Sequence, residues 1–498
     1  MNWLPSRARL VTALGAAFMA LLAFGIVMPP DYPFFGSQLY DYYARALLNG
    51  HFDLPVRALR IEGHYAPDGR GYLYHGLGPV LTRLPFAPFV DLPTTWLSPL
   101  SIWLWAVAGN LGWHRAFAVG IERAKLESAE ARNIAHLVLA IAIWFASPGI
   151  LLAANGTLYY EPSAMAYAMG GGVMCLIVLV ATGHLPARKA LLPMAVLAGL
   201  AIHTRPHLGL AFVATACLFA LFVAWKGQSR DRLHAVGVFA VIGVFGVALL
   251  ASNALRFGNA AEMHGSFGKS EVQYGSVYWG YENPDGARAQ AFVEHGRFNP
   301  GRIAPNLLFY LAAPPDGPVT SDAVSRLEAL HTAMIAPFGL ARLEKPRGGA
   351  LFLWPLWLLL MVVGLAQRDV WRMPALAGLA GAGIGAALLL SYPTITLRYH
   401  VDLWPLIAFP AVFGVAPALR MATSKALPRY AFSLLLVLGV GTTGVLVGAS
   451  RNLIVEAPGS VSQAWTQDYC LTKTAAKGFT GDKANRMCSL DEAGSSQS

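Results

Sequence analysis

The sequence predicts an all-α protein that crosses a membrane about eleven times, with one crossing of half length and a large loop after the first. Three observations predict it. Only 13% of the 498 residues are charged and 55% are hydrophobic, against ~25% charged in soluble domains. The apolar residues come in blocks of roughly 17–21, long enough to span ~30 Å of hydrocarbon at 1.5 Å per residue. The basic residues fall on one side of those blocks. A mean hydropathy of +0.48 agrees.

The blocks are placed at 10–28, 96–112, 133–153, 162–182, 190–202, 207–225, 234–252, 349–366, 373–392, 401–417 and 430–449. The first follows Arg7 and Arg9 and lacks a small-x-small cleavage site before Pro29-Pro30, so it reads as a retained anchor. The block 190–202 is too short to span alone. His203-Thr204-Arg205-Pro206-His207 separates it from the next, and such a polar break has to be buried in protein or line a cavity.

With the N-terminus inside, the inner segments carry fifteen Lys and Arg against five acids. The outer segments 29–95, 253–350 and 451–498 together sum to one negative charge. The basic excess therefore lies on one face, as the positive-inside rule requires. The overall charge of +10 is an orientation signal and marks no nucleic-acid surface.

A membrane domain of 1–450 follows, with outer loops 29–95 and 253–348, and an outer tail 451–498. In the first loop Ser37–Asn49 has helical spacing with Gly50 as its stop, Glu62–Tyr74 reads as two short strands around Pro67-Asp68-Gly69, and Gly78–Val90 is expected to lie at the membrane surface. In the second, Asn306–Ala313 is expected as an amphipathic turn against the bilayer. The tail ends in a polar run expected to lack order. Cys175 and Cys217 fall inside apolar blocks as core residues. Cys470 and Cys488 share the tail and can form a disulfide in an oxidising compartment. No metal-ligand spacing is present, so no cofactor is expected; a need for a divalent cation is not encoded in any spacing.

Charge at membrane depth costs about 2.5–3.5 kcal/mol per residue, which singles out five polar clusters near the outer ends of blocks: Asp31, Glu161, Arg205, Arg256, and Arg398 with His400 and Asp402. Arginine forks suit phosphate oxygens. Ordinary readings stand beside each. Arg398 and Asp402 can clamp at i,i+4, Arg256 can snorkel, Glu161 can cap or pair with an arginine, Asp41 can pair with Arg45 at the surface, and Asp68 can serve only the turn. His64, His75, His203 and His207 read as satisfied polar groups.

Tyr40-Asp-Tyr-Tyr-Ala-Arg-Ala-Leu-Leu-Asn-Gly50, Asp68-Gly-Arg-Gly-Tyr-Leu-Tyr74, Gly78-Pro79, Leu84-Pro85-Phe86, the Arg-Pro after a half-length block, Arg256-Phe-Gly258 and Arg398-Tyr399 occur in this order. Together they resemble the GT-C superfamily of membrane glycosyltransferases, and within it bacterial proteins similar to protein O-mannosyltransferases. The resemblance covers about residues 10–450. It implies transfer of a sugar, with inversion, from a polyprenyl-phosphate donor to a glycan, lipid or protein acceptor at the outer face of a bacterial inner membrane. It also implies that an outer-loop carboxylate takes the acceptor proton. Family members often carry that Asp about four residues before the Tyr matching Tyr40; here the position is Gly36. The base then falls to Asp31, followed by Asp41 and Glu161, with Arg205, Arg256, Arg398 and His400 on the donor phosphate. A flippase of lipid-linked glycans and a non-catalytic assembly subunit are the competing classes. The first would favour repeated halves, which the sequence lacks; Gly36 makes the second conceivable.

The charge sorting predicts an inside N-terminus and an outside C-terminus. A periplasm-active reporter fused after residue 450 should be active, and activity from an inside-only reporter there would overturn the topology.

Overall fold

A computed structural model describes residues 3–268, 271–339 and 342–490. Every expected block is helical: α1 (Ser6–Ala23), α2 (Ser98–Ala124), α3 (Ala129–Phe145, continued by Pro148–Ala153), α4 (Tyr160–Ala181), α5 (Ala187–Ile202), α6 (Pro206–Lys226), α7 (Ser229–Phe257), α8 (Pro355–Leu365), α9 (Ala375–Leu390), α10 (Leu397–Ser424) and α11 (Ala426–Ser450). Seven of these segments are long and apolar enough to cross a membrane: α1, α3 through Ala153, α4, α6, α7, α10 and α11. The helices α8 and α9 are shorter and apolar. The others are α2, which carries Arg115, Glu122 and Arg123, and α5, with 16 residues.

Lipid tails are as apolar as leucine, so helices in a membrane associate through close packing of small residues rather than through hydrophobic exclusion. The bundle follows this rule. A Cβ on Gly364 of α8 would collide with the Pro410 carbonyl of α10, and one on Gly414 of α10 with the Leu360 carbonyl of α8. On α9, Gly378 lies against Phe409 and Gly381 against Ala211 and Thr215 of α6. Where backbones stand further apart, indoles fill the space: Trp113, Trp354, Trp357 and Trp404 are all buried, with Trp404 meeting the other three edge to face.

The break after α5 falls where the sequence places it. Chain direction changes over His203–Arg205, and Pro206 opens α6 at the position where a missing N–H costs nothing. The His203 carbonyl accepts the Gly78 N–H at 2.6 Å. Gly76 lies so close that a Cβ there would overlap the same carbonyl. The first large loop is thus pressed onto the broken helix pair.

The two large loops and the tail gather at one end of the bundle. Strands β1 (Asp53–Leu54), β2 (His64–Tyr65), β3 (Gly71–Tyr72) and β4 (Gln273–Tyr274) form an antiparallel sheet of order β1-β3-β2-β4, with His64 opposite Tyr274. The turn between β2 and β3 contains Pro67-Asp68-Gly69, with Gly69 at φ +89°. The expected helix of the first loop is Leu39–Leu48, followed by Gly50 at φ +82°. The segment from Gly78 exposes Leu81, Leu84 and Phe89, but turns Arg83 inward. The segment expected as an amphipathic turn lies in the helix Ile303–Ala312, which buries Asn306, whose amide donates to Leu390 and Tyr392 carbonyls at the end of α9. At the other end, Arg123 pairs with Asp369 and His184 with Glu122, linking the short loops.

After α11, Arg451 is buried and donates to the Leu22, Met28 and Ala154 carbonyls at 2.9, 2.6 and 2.7 Å. The tail then forms a hairpin of Gln467–Ala476 and Gly481–Cys488 closed by a Cys470–Cys488 disulfide, both cysteines being buried. It is fastened to both large loops. Trp465 meets Trp279 edge to face at 5.3 Å, Arg57 donates to Gln467 at 3.1 Å, and Arg60 pairs with Glu456 at 3.0 Å. Cys175 and Cys217 are free. The end of the polar run, 491–498, lies outside the described residues.

Because the bridge closes an 18-residue separation, loop-closure entropy sets its worth at about 3 kcal/mol. A Cys470→Ser/Cys488→Ser double variant should therefore release the tail to limited proteolysis while the bundle stays intact. Equal protease resistance of the variant and the wild-type protein would reject the latch.

Candidate functional site

At the loop-bearing end lies a cavity of about 200 Å³, bounded by the α5–α6 break, the end of α7, the start of α10 and both large loops. Arg205, Arg256, Arg297 and Arg398 line it, together with Tyr74, His75, Tyr159, His207, His264, Tyr392 and Tyr399. The polar clusters expected from the sequence converge here in part.

Each arginine is held differently. Arg205, in extended backbone just before Pro206, donates to Ser163 Oγ at 2.6 Å and pairs with Asp402. Arg398, in the first turn of α10, reaches Glu344 at 3.1 Å and lies 4.6 Å over the Tyr159 ring. The expected Arg398–Asp402 clamp is therefore not formed. One turn along, Asp402 takes Arg205 and His207 instead, the latter at 3.1 Å. Arg256, for which snorkelling stood as the ordinary alternative to phosphate binding, is buried. It donates to the Leu73 and His75 carbonyls at 3.0 and 3.2 Å and to Asn253 at 2.8 Å. Arg297 donates to the Tyr274 hydroxyl at 2.9 Å.

The charge balance follows. Two of the four guanidiniums contact carboxylates, Asp402 and Glu344; the other two, Arg256 and Arg297, form no ion pair among the described residues. No carboxylate lines the cavity. The arginines lining the cavity thus outnumber the carboxylates paired with them by four to two. The loop histidines do not add to it. Burial pushes the His75 imidazole down to about 3, aided by Arg205, Arg398 and Arg256. Burial likewise holds His64 and His264 well below the usual range. Several polar atoms at the site are buried without a protein partner: His75 Nε2, Arg205 Nε and Asp402 Oδ1.

The acids chosen from the sequence are not in the cavity. Asp31 is exposed and accepts the Asn452 side-chain amide, with its own N–H donating to Asn452 Oδ1 at 2.9 Å. It faces neither Glu161 nor Arg398. Asp41 and Glu161 are fully buried on either side of Arg83, which reaches Asp41 at 2.8 Å and is bidentate to Glu161. Ser98 adds a 2.9 Å bond to Glu161. This triad ties the Leu39–Leu48 helix, the 78–83 turn and α4 together. Arg45 pairs with Asp91, so the expected Asp41–Arg45 surface pair is not made. Gly36 sits at φ +65° against Leu158, where a side chain would be both strained and overlapping; this is a turn position. His400 packs between Tyr310 and Trp354 inside the bundle and does not line the cavity.

Arg83 and Arg297 are the residues missed. Arg83 carried the same signal as Arg205, a single charge inside the apolar run Leu81–Phe86. Arg297 lies in polar loop sequence that does not distinguish it. No group of three or more metal-ligating side chains occurs among the described residues.

No family model matches the chain, and no curated protein matches it. Among solved structures it is similar to the oligosaccharyltransferase of Archaeoglobus fulgidus in its apo form (12% identity, TM-score 0.47, covering 91% of this chain and 57% of that one). It is similar also to AglB of the same organism in complex with an inhibitory peptide and a dolichol-phosphate (13%, 0.48, 96% and 59%). A third is ArnT from Cupriavidus metallidurans bound to undecaprenyl phosphate (13%, 0.44, 96% and 84%). The chain spans less than three fifths of the length of the oligosaccharyltransferase.

The triad makes a paired prediction. Removing one partner of a buried ion pair costs about 3–5 kcal/mol because it strands the other, so Arg83→Met should collapse thermal stability in detergent. Burial raises the Asp41 carboxyl to about 6 despite Arg83, so charging it opposes folding: the contribution of this one carboxyl to stability is fully present below the usual carboxylate range and is lost as pH rises through that value. Asp41→Asn should therefore cost little at pH 7 and flatten this pH dependence. An Asp41→Asn variant as unstable as Arg83→Met would contradict the assignment.

Proposed function

We propose that the chain is a membrane glycosyltransferase that takes its sugar from a polyprenyl-phosphate lipid at the loop-bearing, outer face. The observation that carries this reading is the cavity lined by four arginines, two of which form no ion pair among the described residues, set at the end of an apolar bundle. A sugar phosphodiester brings one negative charge. The lipid phosphate left after transfer brings up to two, since a phosphate monoester carries about −1.5 to −2 near neutral pH. Fixed positive charge that matches the leaving group better than the substrate stabilises the transition state more than the ground state.

The apolar residues Leu249, Leu388 and Leu389 on the same cavity wall suit the start of an isoprenoid chain. Arg256 and Arg297 hold the phosphate in this reading. Arg205 and Arg398, already matched by Asp402 and Glu344, shape the wall. The GT-C resemblance of the sequence agrees with the assignment. The sugar and the acceptor stay general: a lipid-linked hexose or pentose, and a hydroxyl on an envelope glycan, lipid or protein. One observation favours a second reading as a binding subunit without chemistry, namely that no carboxylate lines the cavity.

Undecaprenyl phosphate is the probe. Each charge-assisted bond is worth about 1.5–3 kcal/mol, so Arg256→Ala and Arg297→Ala should each weaken its binding roughly ten- to hundredfold. Lysine should restore part of that loss, since it keeps the charge without the fork. Unchanged affinity in both alanine variants would remove the proposed site. Binding without any release of undecaprenyl phosphate from a sugar-linked form would favour the subunit reading.

A further inference from the structure

Five phenyl or phenol rings line the cavity: Tyr74, Tyr159, Phe298, Tyr392 and Tyr399. Three of them are already covered. Tyr74 stacks on His64 at 4.6 Å and meets His75 at 3.9 Å. Arg398 lies 4.6 Å over Tyr159, and Arg205 and Arg398 lie 5.0 and 5.1 Å over Tyr399. Phe298 and Tyr392 are the pair left open. Their centroids are 5.8 Å apart with ring planes at 46°, and Tyr392 meets Tyr399 at 6.2 Å and 70°, so neither contact is a face-to-face stack. Phe298 follows Arg297 directly and is half exposed.

The fold holds this pair still. Tyr392 lies in the link between α9 and α10, and the second large loop donates to three consecutive carbonyls there. The Asn299 N–H reaches Ser391 at 3.0 Å, the Asn306 amide reaches Tyr392 at 3.0 Å, and the Arg342 N–H reaches Pro393 at 2.9 Å. His331 meets the Asn306 side-chain oxygen at 2.9 Å from behind. A surface fixed in this way loses little freedom when a ligand settles on it.

Resting on the transferase reading, we infer that Phe298 and Tyr392 form the subsite for the donor sugar, and that this sugar carries no positive charge. In a polyprenyl-phosphate sugar a single oxygen joins C1 to phosphorus. With the phosphate at Arg256 and Arg297, the sugar ring therefore lies against the wall next to them, and the open part of that wall is Phe298 and Tyr392. A sugar ring turns C–H bonds outward from its faces and hydroxyls outward from its rim. The faintly positive C–H face suits the negative face of an aromatic ring. The rim suits the Tyr392 hydroxyl, which can donate or accept. The charge class follows from the ions. The cavity is lined by four arginines and by no carboxylate, and Asp402 and Glu344 are already taken by Arg205 and Arg398. An ammonium group on the sugar would meet like charge with no anion to receive it. Guanidinium thus takes the phosphate, and the open rings take the sugar.

The test uses the full chain in lipid nanodiscs. Binding is read for bare undecaprenyl phosphate and for a panel of undecaprenyl-phosphate hexoses and pentoses. Each neutral sugar is paired with its amino counterpart, below neutral pH, where the amine is protonated. At least one neutral donor should bind, and its amino counterpart should bind roughly tenfold more weakly or worse. Phe298→Ala and Tyr392→Leu should each lower the ratio of donor affinity to bare undecaprenyl-phosphate affinity by about tenfold. Tyr392→Phe keeps the ring and should lose only part of that ratio. Damage to the fold or to the phosphate arginines would move both affinities together and leave the ratio alone. Unchanged ratios in Phe298→Ala and Tyr392→Leu, or amino donors bound as tightly as neutral ones, overturn the subsite and leave the transferase reading standing. Binding of bare undecaprenyl phosphate with no donor bound overturns the subsite and favours the subunit reading. A wild-type protein that binds neither undecaprenyl phosphate nor any donor overturns the transferase reading, and the subsite with it.

Discussion

A polypeptide cannot leave a backbone carbonyl unsatisfied at membrane depth, and the rest of this architecture depends on how one such carbonyl is paired. The chain interrupts α5–α6 at His203–Arg205. The interruption frees the His203 carbonyl, and the Gly78 N–H from the first large loop satisfies it. That bond requires two close approaches, at Gly76 and Gly78, which no side chain would permit. It draws the loop down onto the bundle end and brings Tyr74 and His75 beside Arg205. The Leu73 and His75 carbonyls then become the acceptors that hold Arg256. A helix defect, a loop and an arginine cluster are thereby one construction.

The same end of the molecule separates two uses of buried charge. Around Arg83, two carboxylates and one guanidinium are sealed from solvent and serve to fasten elements. Around the cavity, arginines outnumber their carboxylate partners. Neutral imidazoles between them keep the local field set by guanidinium alone, which does not titrate in the biological range. Exposure and stoichiometry both separate the two clusters: Arg83, Asp41 and Glu161 are sealed, while His207, Arg297 and Tyr399 at the cavity are part-exposed.

Much of the helical plan was legible in the sequence because hydrocarbon imposes long uninterrupted apolar blocks, and because the 203–207 break is polar against that background. The Pro67-Asp68-Gly69 turn and the helix ending at Gly50 were legible for local reasons, a φ above zero that glycine tolerates. Of the candidate site, Arg205, Arg256 and Arg398 were found by the cost of placing charge at depth. Their partners were not found. Asp402 is four residues from Arg398, yet α10 turns it toward Arg205 from a different helix, and that choice is made by tertiary packing. Asp31 was placed in the site from its position after a block, which fixes depth but not direction around the bundle. Arg297 sits in a loop where charged residues are ordinary, so only the folded chain singles it out.

Arg451 ties the molecule together across its length. Its guanidinium meets the Leu22 carbonyl, 429 positions earlier, and the Ala154 carbonyl, 297 positions earlier. During synthesis both carbonyls emerge long before this guanidinium. The Leu22 carbonyl already accepts the Gly25 N–H at 3.0 Å, and α1 packs on α2 and α3, so the seat of the first helix does not wait for the last. The last membrane segment then brings a second donor to the end of α1 and joins it to the end of the helix Pro148–Ala153.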